Sequence, residues 1–377
     1  MDADMKPKRS GWEKQVPPSR EGPRVSGHGG ESASQEAATP AKGAVQVVLT
    51  IDTEPDNAWG NHLNRSVANV RALLRLRDVL AKYGAKATCL VTSRVIQDGE
   101  AIEVLRHLVE SGGAEIGAHL HPWESPPFME SGLDTKYHTF PHELPLAVFR
   151  EKLKRLVEAI GERFAPPTCY RGGRWGIAPE HLAVLEQAGF EVDTTVTPLI
   201  DWRETKGTPT SLNGRGGVDF RSAPVSPYHP DYSDVTREGG AKITEVPLTV
   251  GLTRRVSPLV RRLYVALPEL AHRILRRSAL LRAVWATPTQ EDERHLLKML
   301  AVALRERVPV INMGIHSSEL MVGCAPRAQS VEDVARIFGR LEAMLGLLAS
   351  SGVCRFTTLT DAARRWEALH APPDVRA

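Results

Sequence analysis

No apolar run in this chain approaches the ~20 residues that a membrane-spanning helix requires, and the N-terminus lacks the apolar stretch of roughly 7 to 15 residues at the centre of a secretory signal. A cytoplasmic location is therefore expected. The 4 cysteines, Cys89, Cys169, Cys324 and Cys354, are far apart and include no Cys-x-x-Cys pair, which argues against a zinc knuckle or a disulfide framework. They read as reduced. A formal charge of +3 demands no nucleic acid, and no nucleic-acid motif is present. "RGGRWG" is not a phosphate loop, because the Lys-Ser/Thr ending is missing. What is there, 377 residues of which 42% are hydrophobic, is enough to bury one large core or two smaller ones.

Residues 1–43 mix both charges with Pro and Gly and hold almost no branched apolar side chains, so they cannot offset their own ordering entropy and are expected to be a disordered tail. At "AVQVVLTID" the pattern changes to a β-branched run suited to a strand buried on both faces. Helix-like and strand-like segments then alternate. The strands are "AKATCLVT", "AEIGAHLH", "PTCYRGG", "FEVDTTV", "KITEVPLTV", "VPVINMGIH" and a last one at "CRFTTLT". A final helix opens at Ser330, with Asp333 at capping-box spacing. The alternation predicts a parallel sheet with helices outside, either an open doubly wound sheet or a (β/α) barrel of about seven strands over 44–365, with a flexible end at 366–377. The polar residues favour the barrel, because each suspicious one falls at or near the C-terminal end of a strand, and a barrel gathers those ends on one rim.

In "TIDTEPD", Asp52 and Glu54 are two apart and should project to one face of the strand; in "AEIGAHLHPW", His119 and His121 do the same. An isolated Asp-x-Glu more often caps a turn or is solvated, and a lone histidine at such a place is more often a hydrogen-bonded core residue. The combination points elsewhere: one carboxylate and two imidazoles form a three-ligand catalytic metal set with a position open for water, and the second carboxylate is left free as a base. His316, in "NMGIHSSEL", has the chemistry to protonate a leaving amine. Arg171 is expected to pair with a carboxylate such as Asp52 or Asp193, and the two glycines after it allow close backbone approach.

In this order the five segments "LTIDTEPD", "EIGAHLHPW", "YRGGRWG", "EVDTTVTP" and "GIHSSEL" resemble the motifs of the polysaccharide deacetylase family, over a span from about Ala44 to Thr360. The resemblance implies a distorted barrel with a divalent metal, usually zinc or cobalt. It also implies that Asp52 is the base, Arg171 its holder, Asp193 part of the tuning network and His316 the acid. Usual members carry two adjacent acids in the first motif and histidines four apart in the second. Here the acids and the histidines are each two apart, which resembles a branch of the family found among enzymes of bacterial surface-glycan assembly, and the resemblance implies Glu54, His119 and His121 as metal ligands. The expected activity is removal of an N-acetyl group from an amino sugar of a glycan or lipid-linked sugar. Hydrolysis of a small allantoin-like amide and a catalytically silent glycan binder are the alternatives.

Trp123 and Trp175, each close behind a candidate site residue, are candidate pocket walls, and Tyr228, in a loop with His229 and Tyr232, is a candidate sugar platform. The segment from Arg254 to Arg282 reads as a helical insertion, near 252–285, with paired arginines among apolar residues. It is either a solvated amphipathic helix or a peripheral membrane contact. The sequence leaves the oligomeric state open.

Overall fold

The structure, a computed structural model, describes residues 43–267, 271–272, 274–275 and 281–370. The expected tail over 1–43 lies outside the described residues except for Gly43, as does the expected end segment beyond His370. Seven parallel strands form one curved sheet: β1 (Val45–Thr53), β2 (Ala87–Val91), β3 (Ala114–Leu120), β4 (Cys169–Gly172), β5 (Val192–Asp193), β6 (Thr244–Glu245) and β7 (Val310–His316). Their order is β7-β1-β2-β3-β4-β5-β6, and an eighth strand, β8 (Cys354–Phe356), pairs with the start of β1. Between β6 and β7 there is no ladder. Single bonds cross that seam instead: the Thr249 amide donates to the Asn312 carbonyl at 2.9 Å, and the Asn312 side chain donates to the Val246 carbonyl at 3.2 Å. The result is the expected distorted barrel.

Because side chains alternate along a strand, every second residue points into the barrel, and the inward residues stack in layers. The lowest layer is apolar: Val48, Leu90, Cys169, Val192, Val246 and Val310 pack together with Leu359, Ala362 and Ala363. Those last three belong to the helix Leu359–His370, which plugs the N-terminal end of the barrel. One layer up, the chain buries polar groups and satisfies them mutually. Thr50 donates to the Met313 carbonyl at 3.0 Å, Asn312 donates to the Thr194 hydroxyl at 2.8 Å, and Arg171 donates to the Thr50 hydroxyl at 2.8 Å. The top layer is Asp52, His119 and His316, at the rim.

Helices cover the outside with apolar stripes at helical spacing. Val331–Ser350 buries Val334, Ile337, Phe338, Leu341, Met344, Leu345 and Leu348, and opens with the expected reciprocal cap between Ser330 and Asp333. Three expected strands are shorter than their apolar patterns. "FEVDTTV" pairs as a strand only at Val192–Asp193, because the Thr194 carbonyl accepts from Arg171 and its hydroxyl donates to Val246. "KITEVPLTV" is broken at Pro247, which has no amide hydrogen for a ladder; its end, Val250–Leu252, pairs antiparallel with Ala283–Trp285. "CRFTTLT" is a strand only to Phe356, and the chain turns into the plugging helix, which continues past the expected boundary at 365.

One buried cation fixes a loop that reaches the rim. Lys152, on the helix Leu146–Gly161, is fully buried; its Nζ is 2.7 Å from Asp134 Oδ2 and donates to the carbonyls of Pro122, Ser125 and Pro127 at 3.0, 2.6 and 2.7 Å. It thus pins the segment that follows His121 and carries Trp123. Lys152→Met is expected to cost about 3–5 kcal/mol, since it leaves the buried Asp134 carboxylate without its cation, with only the Met129 amide still donating to it, and takes the Lys152 donor from three carbonyls. A denaturation midpoint equal to wild type would contradict that assignment.

Candidate active site

Register brings the site together. Asp52 on β1 stands opposite His316 on β7, and His119 on β3 stands opposite Arg171 on β4. Glu54 and His121 lie just beyond the ends of β1 and β3 and continue the same alternation. One ligand atom from each of Glu54, His119 and His121 lies within 4.8 Å of the other two, and all three residues are buried. Glu54 Oε2 is 3.1 Å from His121 Nε2. His119 Nδ1 lies 2.9 Å from the Arg171 carbonyl. Donation of an Nδ1 hydrogen to that carbonyl leaves the Nε2 lone pair facing the acids, as metal-ligating histidines are usually held.

The electrostatics of this trio fit a cation. Burial pushes the Glu54 carboxyl up to about 7, with His316 and His119 opposing the rise. Burial likewise lowers His119 to about 4 and His121 to about 3, so both imidazoles are neutral at neutral pH. Among the described residues no Lys or Arg reaches Glu54. A desolvated carboxylate facing two neutral imidazole lone pairs is the donor set of a divalent transition metal.

Asp52 is held differently. Burial raises its pKa, but the positive charge of Arg171, with His119 and His316, holds it well below the usual carboxylate range. Arg171 Nη1 donates to Asp52 Oδ1 at 2.5 Å, while Nε and Nη2 are taken by the Thr194 carbonyl and the hydroxyls of Thr50 and Thr194. The guanidinium is thereby fixed on all sides and fixes the carboxylate. Asp52 Oδ2 remains, 3.6 Å from His316 Nε2 and 4.0 Å from His119 Nε2.

His316 points Nε2 toward the two acids, and its Nδ1 lies 3.4 Å from Glu319 Oε2. Its amide also donates to that oxygen at 3.0 Å. Burial lowers the imidazole pKa, but the Glu319 hydrogen bond and the charges of Glu54, Glu319 and Asp52 outweigh it and push the group up to about 10. It is therefore protonated at neutral pH. Glu319 was not singled out in the sequence; the signal that finds it is its place three residues after His316, where it caps the short turn Ser317–Leu320. Glu319→Gln is expected to lower kcat about 10- to 100-fold, as loss of an outer hydrogen-bond partner commonly does. It should also draw the alkaline limb of the pH–rate profile toward neutrality, because the protonated imidazole loses the acceptor that raises its pKa. An unmoved alkaline limb would show that Glu319 does not tune His316.

Gly173 makes room for this trio. A Cβ there would sit 2.5 Å from His121 Nδ1 and 2.6 Å from the Leu120 carbonyl oxygen, which is the close approach expected of "RGG". Gly173→Ala should displace His121 and weaken metal binding about 10- to 100-fold, read by competition with a chromogenic chelator. Beyond it Arg174 and Trp175 take left-handed backbone angles, φ 56° and 61°, and aim the indole at the site. The cavity, about 470 Å³, is lined by Asp52, Glu54, His119, His121 and His316 with Trp59, Trp123, Trp175 and Trp202. Trp123 and Trp175 line this cavity, and so do two residues the sequence did not single out, Trp202 and Trp59, whose ring meets His316 edge-on at 4.7 Å.

Two expected site residues lie elsewhere. Asp193 is in register with Tyr170 and Glu245, hence out of phase with the inward-facing Arg171. It is buried outside the barrel and accepts from Thr195 at 2.6 Å, and burial raises its carboxyl beside Glu245. Tyr228 pairs with Glu245 through the backbone, and its hydroxyl donates to the Val235 carbonyl at 2.6 Å. Only 2% exposed, it offers no ring face to a sugar. Tyr232, from the same loop, is exposed and donates to Glu186 at 2.8 Å.

No family model matches the chain, and no curated protein matches it in sequence. Solved structures do match. A protein assigned as a glycoside hydrolase/deacetylase from Parabacteroides distasonis aligns at 12% identity and a TM-score of 0.58, covering 89% of this chain and 74% of that one. The chain shares its fold. PuuE allantoinase aligns at 14% identity and a TM-score of 0.50, covering 88% and 93%. A protein assigned as a polysaccharide deacetylase from Mycobacterium smegmatis aligns at 15% identity and a TM-score of 0.49, covering 89% and 96%.

Proposed function

We propose that this chain is a metal-dependent hydrolase that removes an acyl group, most simply acetyl, from the nitrogen of an amino sugar in a glycan or lipid-linked sugar. The observation that carries the reading is the buried trio of Glu54, His119 and His121 with ligand atoms within 4.8 Å of one another, set beside an acid held by Arg171 and a protonated histidine. The deacetylase and allantoinase names among the solved structures of this fold agree with amide hydrolysis.

Glu54, His119 and His121 would hold the ion, zinc or cobalt being the best match to a mixed carboxylate and imidazole set. A divalent ion there supplies Lewis acidity toward the amide carbonyl and an adjacent water. Asp52, ionised throughout the neutral range, takes the proton from the attacking water through Oδ2, the oxygen that Arg171 leaves free. Arg171 keeps that carboxylate from rotating away. His316, whose Nε2 is 3.6 Å from Asp52 Oδ2, gives its Nε2 proton to the nitrogen as the carbon–nitrogen bond breaks, and Glu319 holds its ring through Nδ1. The tryptophan walls present flat apolar faces to which a pyranose ring stacks.

The test is amine release from a panel of N-acetylated glycan oligomers, with allantoin as the competing amide. Turnover of N-acetylated sugar alone supports the reading. Turnover of allantoin alone replaces the substrate class, and metal binding with no turnover of either replaces the enzyme with a binder.

A further inference from the structure

Between Arg254 and Arg282 the sequence places eight arginines against a single acid, Glu269, although the whole chain carries a net charge of only +3. The remainder of the chain is therefore net acidic, and the chain's excess of positive charge comes from this one segment. The helix Pro258–Ala266, capped by Ser257, lies within it. Its exposed ridge runs through Leu259, Arg262, Leu263 and Ala266, one turn apart on the same side. Leu259 is 66% exposed and Leu263 60%, and Ile274 further on is also 60% exposed. Arg254 and Arg255 stand exposed at the helix entrance, and Glu306 lies 3.7 Å from Arg255.

We infer that this ridge docks on an anionic lipid surface. Apolar side chains standing open to water beside arginines match both layers of a bilayer interface, acyl chains below and anionic headgroups around. The other occupants fit less well. A second copy would set one arginine cluster against another, and a phosphate backbone would leave the leucines in water. The opposite side of the same helix is anchored. Tyr264 packs in an apolar cluster with Trp285, and Trp285 meets Trp175 and Trp202, two walls of the cavity, at 5.9 and 5.6 Å. Docking surface and cavity wall are joined through this small cluster. The inference does not depend on the hydrolytic reading, since vesicle binding is measured without substrate.

The experiment is flotation of the full chain with vesicles of phosphatidylcholine, alone or mixed with phosphatidylglycerol. The wild-type protein should float with the mixed vesicles at low salt, progressively less as salt rises, and not with phosphatidylcholine alone. Leu259→Ser with Leu263→Ser, and separately Arg254→Glu with Arg262→Glu, should each lower the partition on the order of tenfold, with unchanged circular dichroism melting. The proposal is overturned if wild type does not float with anionic vesicles. It is equally overturned if both double variants float like wild type, or if they lose duplex DNA binding or self-association while flotation is unchanged.

Discussion

Asp52→Asn is expected to lower kcat for amine release about 10²- to 10⁴-fold, the range over which a positioned acid–base group contributes, while metal content stays at the wild-type level. The asparagine keeps an oxygen for Arg171 Nη1, 2.5 Å away in the native site, but cannot accept a proton from water. Asp52→Ala is a harsher change. It strands a guanidinium that is 1% exposed and should cost about 3–5 kcal/mol of stability. The pH dependence has a definite sign. Since Arg171 holds Asp52 below its ordinary pKa, the pair's contribution to stability is complete above about pH 4 and is lost as pH falls below it. The Asn variant should lack that portion of acid sensitivity. Full activity in Asp52→Asn would remove Asp52 as the base and leave Glu54, raised to about 7, as the acid to consider.

The second large effect is loss of the ion itself. Dialysis against a chelator should abolish amine release, and zinc or cobalt should restore it. The protein should also lose stability with the ion, by RT ln(1 + [L]/Kd), since on the proposed reading the folded trio would bind it and the unfolded chain would bind it less. Burial alone makes the Glu54 carboxylate costly to ionise, and a bound cation reverses that. A thermal midpoint indifferent to chelation would mean that no ion resides there.

Much of the site could be read in the sequence because strand alternation is strict. Two residues spaced by one, at the end of an apolar run, share a face, and this places Asp52 with Glu54 and His119 with His121. Which strand lies next to which, and in what register, is not written locally. Of the two carboxylates offered as partners of Arg171 it is Asp52 that pairs, because the pairing Tyr170↔Asp193 turns Asp193 to the other face of the sheet. The polar layer was hidden for a related reason. Thr50 and Thr194 are ordinary strand formers, and nothing nearby in sequence signals that their hydroxyls meet Arg171 across 121 and 23 residues. Tyr228 stood in a Pro- and Gly-rich stretch that reads as surface loop, but its hydroxyl found a buried carbonyl, and that bond lets the ring sink into the core. Helix limits were legible where caps are chemical, as at Ser330, and less so where an apolar strand pattern runs straight into a helix, as after Phe356.

The most direct measurement is elemental analysis of the purified protein beside its Glu54→Gln, His119→Ala, His121→Ala and Asp52→Asn variants. About one equivalent of a divalent transition metal is expected in wild type and in Asp52→Asn, and little in the other three. Wild-type protein that hydrolyses its substrate without metal, or metal retained when Glu54, His119 and His121 are each removed, would contradict the account.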